Sequence, residues 1–599
     1  MKSIRIQPLL DPIEAEVIIP GSKSYTNRAL IIAAMTKNRV RIINPLISDD
    51  TRAMIKCLRT LGIRINLLDD SIEVIGSIDN IKNKTHELDV NLSGTTIRFM
   101  LPFLAIAPGI KILKGREGLN KRPIKNLVDA LRQLGATIDY LNVEGHPPLR
   151  ITSSVLKGGV ITINGGISSQ YFSALLMVAP LIGKLIIEVE GVQISKPYID
   201  MTIDSMKNFG VSVINEDYKK YTVPDQQTYK VAEYIVEGDF SSAGYFFAIA
   251  ALTKSTLTLK NLNPDSVQAD RKILDILKKM GSKITYGENE ITIQGKGIKV
   301  TEINMIDFPD QAQTLAVIAA FADGITKLSG IQSLRVKETE RITALENELK
   351  KMGIRTSSTA DTLIIYGGNP KAARINTHED HRMAMSFAVA GTKLSGIEIN
   401  DPAVVTKTFP EFWEKLNSIG IKTKSVNTRN IVLIGMRGSG KTTVAKLLSR
   451  KLNKEYIELD ELIVEKVGMS IPKIVKKFGW DYFRHQESDI AEKVSSYNDK
   501  IISTGGGIVS KSKNIETLKK NGILILLSGS VEVLFDRIGD DSNRPALTLS
   551  KTRKEEMSKL LKQRKNLYEE VADKIIDTNN LKPEDVVNQI LLIMEGEGI

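Results

Sequence analysis

Residues Gly435-Met436-Arg437-Gly438-Ser439-Gly440-Lys441-Thr442 follow the apolar run Asn430 to Ile434 and lead into a helical pattern, Val444 to Leu452. Strand, G-x-x-x-x-G-K-T and helix in that order make a phosphate-binding loop, whose backbone N–H groups cradle a nucleotide's phosphates. The backbone of Gly435, Gly438, Ser439, Gly440 and Thr443 is expected to line that cradle, with Lys441 reaching the β/γ oxygens of the nucleotide and Thr442 a Mg²⁺. Such a loop selects a nucleotide and says nothing of what receives the phosphoryl group.

A different chemistry runs through the first two thirds of the chain. Lys23, Ser24 and Arg28 gather near the first turn of an apolar helix that opens after Pro20-Gly21-Ser22. Free N–H groups and the helix dipole favour an anion at such a place. Ser93-Gly94-Thr95-Thr96-Ile97-Arg98 repeats the arrangement, and Arg116, Lys121 and Arg122 follow in a loop. Ser168-Ser169-Gln170 opens another apolar helix with hydroxyls and an amide, suited to a phosphate or a polyol, and Ser195 starts a further turn.

Further along, cradling gives way to groups that could move protons. Asp310 stands before a helix beginning at Gln311, and Lys337, Glu338 and Arg341 fall within Arg335-Val336-Lys337-Glu338-Thr339-Glu340-Arg341. His378-Glu379-Asp380-His381-Arg382 opens a third helix, and Lys407 lies in a loop before a fourth. Carboxylates beside Lys and Arg can be caps and ion pairs only. Four such groups at equivalent loop positions read instead as general acids and bases among anion-holding cations.

Equivalent positions exist because the chain repeats. The pattern LVDALRQLGATI from Leu127 returns as MIKCLRTLGIRI, TIDSMKNFGVSV, ILDILKKMGSKI, LENELKKMGIRT and FWEKLNSIGIKT. Each has apolar residues at helical spacing, then a glycine to end the helix, then an alternating strand. The six glycines are Gly62, Gly135, Gly210, Gly281, Gly353 and Gly420, spaced 73, 75, 71, 72 and 67 residues apart. Six α/β subdomains of about 70 residues are predicted, longer than solenoid repeats of about 20–50.

At 599 residues several domains are expected. One cysteine, Cys57, rules out an internal disulfide framework and fits a reducing cytoplasm. The opening MKSIRIQPLL lacks the apolar run of a signal peptide, and no stretch reaches the length of a membrane span. Net charge is +12, with basic and acidic residues interspersed, which favours small phosphorylated metabolites over nucleic acid.

PGSKSYTNRAL, SGTTIR, SSQY, SKPYID, EGDFSSA, PDQAQTLAV, RVKETER, DHRMAM and KTFPEF, in that order, resemble 5-enolpyruvylshikimate-3-phosphate (EPSP) synthase. The resemblance implies an α/β fold of six βαβαββ units in two lobes, an inside-out α/β barrel. Lobe one would be residues 1–18 plus 236–423 and lobe two 19–235. It further implies that Lys23, Ser24, Arg28, Ser168, Ser169, Ser195 and Lys337 hold shikimate 3-phosphate, with Gln170 and Arg122 beside the enolpyruvyl group. Gly94, Arg341, Arg382 and Lys407 match phosphoenolpyruvate positions, while Asp310 and Glu338 match the acid/base carboxylates and Lys23 is counted with the catalytic groups. Leu92 and Ser333 stand where that family commonly has asparagine.

The remainder, 429–599 after a linker at 424–428, resembles shikimate kinase: a P-loop fold with a parallel sheet flanked by helices. That resemblance places shikimate on Asp460, Arg484, Gly506, Gly507 and Arg564, and puts Arg544 in a lid over the ATP phosphates. Asp460 would accept the 3-hydroxyl proton. Glu458 stands where an aspartate commonly lies near Mg²⁺ and is expected to keep that role. Two alternatives are a transferase acting on UDP-N-acetylglucosamine and a kinase domain reduced to a nucleotide sensor. The first typically carries a cysteine in the loop at 114–122, which has none; the second need not keep Asp460, Arg484 and Arg564.

Overall fold

A computed structural model of the chain describes residues 2–427, 429–452, 454–538 and 552–597. The chain divides into two compact units, Ile4–Lys424 and Ser425–Ile599, with Met1–Ser3 clustering with the latter.

In the first unit the six glycine-ended patterns are helices: Asp49–Leu61, Lys125–Gln133, Lys196–Asn208, Ile273–Lys279, Arg341–Lys351 and Phe412–Ser418. All six repeat glycines have φ between 77° and 116°, a region that glycine enters without a Cβ clash. Each helix leads into a strand of a four-stranded sheet, and there are six such sheets. Thr85–Asp89 pairs parallel with Ile110–Lys114, which pairs antiparallel with Leu149–Thr152, and that strand closes a hairpin with Thr137–Tyr140. The same order of one parallel pair and one hairpin recurs around Val160–Asn164 and around Glu302–Asn304.

A second set of helices is buried along nearly its whole length. Lys23–Ala33, Gly94–Ile106 and Ser169–Ile182 share one core with residues 25–236. Phe240–Thr253, Ala312–Ala319 and His381–Gly391 share another with Ile4–Ile19 and the residues up to Ile421. The chain passes between the two halves twice, and the two passages touch. Gly21 and Gly238 form an antiparallel bridge in which Ser22 N donates to Glu237 O at 2.8 Å and Asp239 N to Pro20 O at 2.9 Å. A Cβ on Gly21 would lie 2.0 Å from Asn44 O, and one on Gly238 would lie 1.9 Å from Asn261 O, so no side chain fits at either crossing. The two asparagines lock the strands from both sides, Asn44 Nδ2 to Val236 O and Asn261 Nδ2 to Ile19 O, both at 2.8 Å.

Of the stretch read as a linker, 424–428, the described residues belong to a strand. Thr423–Asn427 is a strand beside Lys2–Ile6 in the sixth sheet, and Gln7 N donates to Lys422 O at 2.9 Å. Polar TKSVN carries little local strand signal; pairing with a strand some 420 positions earlier makes it one.

The second unit is a five-stranded parallel sheet in the order Tyr456–Glu458, Ile501–Ser503, Asn430–Ile434, Gly522–Ser528, Lys574–Asp577. Its middle strand is buried on both faces: Val432 and Ile434 enter one core, Ile431 and Leu433 the other. An unbroken apolar run therefore suits it better than alternation. The helix Lys441–Leu452 begins on the P-loop lysine itself.

Candidate active sites

Between the two halves of the first unit lies a polar cavity of about 160 Å³. Lys23, Ser24, Arg28, Arg122, Ser168, Ser169, Gln170, Ser195, Asp310, Lys337 and Arg382 line it. The helices Lys23–Ala33, Gly94–Ile106 and Ser169–Ile182 bring their N-terminal turns to one wall, capped by Ser22, Ser93 and Ser168. Phe240–Thr253 and His381–Gly391 do the same opposite, capped by Asp239 and Asp380.

Arg28 is 2% exposed and already committed on three sides: Nε to Thr202 Oγ1 at 2.8 Å, Nη1 to Ser24 O at 2.9 Å, Nη2 to Tyr198 O at 2.8 Å. Burial lowers its pKa to about 10. Lys23 ties the halves together, its backbone N donating to Asp239 Oδ2 at 3.2 Å while Nζ meets Asp50 Oδ2 at 3.2 Å. Gly94 packs against Arg122, since a Cβ there would sit 2.9 Å from its Nη1.

Arg341, 1% exposed, is the hub of the opposite wall. It donates to Asp380 at 2.7 Å, to Glu338 at 2.8 Å and to Asp310 at 3.3 Å. Asp310 also meets Arg382 at 2.9 Å and Lys337 at 3.6 Å. Glu338 meets Lys407 at 2.9 Å and, from the other half, Arg122 at 3.6 Å. Burial alone would raise both carboxyls, yet the cations win. Arg382, Lys337 and Arg341 hold Asp310 below its ordinary value. Lys407, Arg341 and Arg122 hold Glu338 well below its own. Both carboxylates are thus ionised, and the surrounding cations have charge to spare for anionic ligands.

Glu338, Arg341 and Lys407 are not among the lining residues and join the cavity through Asp310 and Arg122. Several lining residues had no assigned role: Arg98, whose Nη1 donates to Gln170 Oε1 at 2.6 Å, Tyr198, whose hydroxyl reaches Asp310 at 3.3 Å, and Ser241 and Tyr245. Arg98, Tyr198 and Ser241 carried no signal beyond membership of those short motifs, and Tyr245 lies outside them. Ser333 lines the cavity, whereas Leu92 packs against the apolar core.

In the second unit the P-loop closes one wall of a pocket of about 520 Å³. Residues 437–443, Glu458, Asp460, Gly505 and Gly506 line it. Lys441 Nζ folds onto its own loop, 2.8 Å from Gly435 O and 2.9 Å from Met436 O. Thr442 Oγ1 and Tyr456 OH both donate to Glu458 Oε2, at 2.8 and 2.7 Å, and burial raises the Glu458 carboxyl. Asp460 opens the helix Leu459–Val467 and faces Gly505, where a Cβ would lie 2.9 Å from its Oδ1. Arg484 pairs with Glu487 at 2.6 Å and lies so close to Gly507 that a Cβ there would be 2.0 Å from its guanidinium. Arg564 donates to Gly506 O at 2.8 Å. Arg537, Thr578, Leu581, Pro583 and Val586 form a further wall that the motifs did not indicate. Arg544 lies outside the described residues.

Residues 9–416 match the family model for EPSP synthase (3-phosphoshikimate 1-carboxyvinyltransferase), and residues 437–595 match that for shikimate kinase. A 3-phosphoshikimate 1-carboxyvinyltransferase of Sulfurovum sp. (strain NBC37-1) is 42% identical over 70% of this chain and 99% of its own length. The pentafunctional AROM polypeptide 2 of Lodderomyces elongisporus is 35% identical over 94% of this chain, which spans 39% of that polypeptide. Among solved structures, EPSP synthase from Acinetobacter baumannii superposes with a TM-score of 0.61 at 26% identity, over 71% of this chain and all of that one.

Proposed function

The chain belongs to the EPSP synthase family and carries a shikimate kinase domain behind it, and on that premise we propose how its two sites divide the work. It is a bifunctional transferase of the shikimate pathway. The kinase domain phosphorylates the 3-hydroxyl of shikimate with ATP. The synthase domain transfers the enolpyruvyl group of phosphoenolpyruvate to the 5-hydroxyl of shikimate 3-phosphate and releases phosphate.

The observation that carries the synthase reading is Arg341 gripping both Asp310 and Glu338 inside a cation-lined cleft. Lys23, Ser24, Arg28, Ser168, Ser169, Ser195 and Lys337 hold shikimate 3-phosphate, with Gln170 beside it. Gly94, Arg341, Arg382 and Lys407 receive the phosphate and carboxylate of phosphoenolpyruvate, with Arg122, like Gln170, beside the enolpyruvyl group. The reaction adds a proton to the methylene carbon of phosphoenolpyruvate and takes one from the attacking hydroxyl. Asp310 and Glu338 handle these protons. Incoming substrate anions share the cations that now hold the two carboxylates ionised, which raises their proton affinity when a proton must be carried.

In the kinase, Asp460 accepts the 3-hydroxyl proton while Arg484, Gly506, Gly507 and Arg564 hold shikimate. Gly438, Ser439, Gly440, Lys441, Thr442 and Thr443 cradle ATP, with Gly435 O holding Lys441 Nζ behind the loop. The Thr442 hydroxyl and Glu458 carboxylate, 2.8 Å apart, are an all-oxygen pair of the kind that holds Mg²⁺ alongside phosphate oxygens and water. Bound there, Mg²⁺ would neutralise phosphate charge. Small phosphorylated substrates suit a cytoplasmic enzyme, and no helix among the described residues is long and apolar enough to cross a membrane.

The test is a coupled assay with shikimate, ATP and phosphoenolpyruvate. Lys441→Ala is expected to abolish phosphorylation of shikimate while leaving enolpyruvyl transfer from supplied shikimate 3-phosphate intact. Loss of both activities together refutes the division.

A further inference from the structure

Behind Arg382 stands a buried carboxylate with no role in the scheme above. Asp270 is 3% exposed and sits in the turn Ala269–Lys272, before the repeat helix Ile273–Lys279. Its neighbour Gln268 pins this turn to the start of the helix Phe240–Thr253. Gln268 Oε1 accepts from Phe240 N at 3.1 Å, and its Nε2 donates to Gly238 O at 2.7 Å. Asp270 Oδ2 accepts a hydrogen bond from Ser241 Oγ. Asp270 Oδ1 has no hydrogen-bond partner among the described residues, so its hydrogen-bonded route to the cavity runs through Ser241.

Ser241 passes the constraint on. A hydroxyl has one proton, and with that proton given to Asp270 its lone pairs face the guanidinium. Arg382 Nη2 donates to Ser241 Oγ at 3.3 Å and to Asp310 Oδ2 at 2.9 Å, while Nη1 donates to Asp310 O at 3.0 Å. Gln311 holds the Ser241 backbone in place, its Nε2 donating to Ser241 O at 3.4 Å. The chain of donors therefore has one direction: Arg382 to Ser241 to Asp270.

We propose that Asp270 is a positioning residue for enolpyruvyl transfer, fixing through Ser241 the guanidinium of Arg382 and with it the carboxylate of Asp310. Ser241 without that acceptor is free to turn its proton toward Arg382, and the guanidinium loses one of its fixed contacts. Burial raises the Asp270 carboxyl to about 7 against the pull of Arg382, with Asp310 and Asp239 adding to the rise. Loss of its charge is thus the mild change and loss of its acceptor oxygens the severe one. The inference rests on the reading that Arg382 binds phosphoenolpyruvate.

Steady-state kinetics of the full-length enzyme with shikimate 3-phosphate and phosphoenolpyruvate test it. Asp270→Ala and Ser241→Ala should each raise KM for phosphoenolpyruvate about tenfold or more, the effect of losing one hydrogen bond to a charged group. KM for shikimate 3-phosphate should stay within about twofold. Combining the two should be no worse than either alone, because both cut the same chain. Asp270→Asn keeps an acceptor oxygen and should recover most of the loss. Effects that add, that fall equally on both substrates, or that appear only in Tm overturn the proposal. Should Asp270→Ala be insoluble, Ser241→Ala and Asp270→Asn decide alone: unchanged KM in the first, or no recovery in the second relative to the first, overturns it. Arg382→Lys separates the two readings. If it leaves KM for phosphoenolpyruvate unchanged, the assignment of Arg382 fails. If it raises KM while the Asp270 and Ser241 variants do not, the positioning role alone fails.

Discussion

Replacing Glu338 with glutamine keeps the side chain's size and removes its charge from between three cations. Arg341, Lys407 and Arg122 lie 2.8, 2.9 and 3.6 Å from that carboxylate. Two consequences pull in opposite directions. Without a group to carry a proton, turnover should fall by roughly 10²–10⁴, or about 2.7–5.4 kcal/mol on the barrier at 1.36 per tenfold. Binding should improve. A phosphate anion about 5 Å from a carboxylate is repelled by about 3 kcal/mol at an effective dielectric near 20. With roughly half of that offset by less well-aligned cations, KM for phosphoenolpyruvate should drop about tenfold. The assay is release of inorganic phosphate from supplied shikimate 3-phosphate and phosphoenolpyruvate, with kcat and KM fitted separately and Tm measured beside them. A purely structural Glu338 would give weaker binding with lower Tm. Turnover within a few-fold of the parent, or a large rise in KM for both substrates, refutes the proton-carrying role.

Gly507→Ala puts a methyl group 2.0 Å from the Arg484 guanidinium, so kcat/KM for shikimate should fall on the order of 10²-fold while KM for ATP holds. Steady-state phosphorylation with each substrate varied checks it, and an equal effect on both would count against Arg484 as a shikimate contact. Asp310 is held below its unfolded value of about 3.9, so it contributes stability above that pH, lost as the pH falls through its depressed pKa. Asp310→Asn should therefore be less stable at neutral pH and show a flatter loss of Tm below about pH 4, by calorimetry across that range. Expression of residues 1–427 should yield a soluble synthase, whereas 1–421 lacks the strand Thr423–Asn427 and leaves Lys2–Ile6 with an open edge that promotes aggregation. Size-exclusion chromatography of the two fragments distinguishes them, and equal behaviour would show that the strand contributes nothing.

The readings that came from sequence were those whose physics is local. A glycine nine positions into an amphipathic pattern ends a helix wherever the helix lies, and all six repeat glycines adopt positive φ. A P-loop is written in eight consecutive residues because its ligand contacts are its own backbone. The apolar run 431–434 is legible as a buried strand for the same reason. What only the tertiary structure decided is which of many charged side chains meet. Arg341 touches Asp310, Glu338 and Asp380, 31, 3 and 39 positions away, and only Glu338 is within reach along its own stretch of chain. Tyr198 reaches Asp310 across 112 positions, and Ser241 joins Asp270 to Arg382 across 29 and 141. Residues 424–427, within the stretch 424–428 read as a linker, carry little strand signal because strand formation there depends on a distant partner rather than on their own residues. Hydrogen bonds and ion pairs act over a few ångströms with no regard for chain separation, so their partners emerge only once six repeats have folded their loops into one cleft.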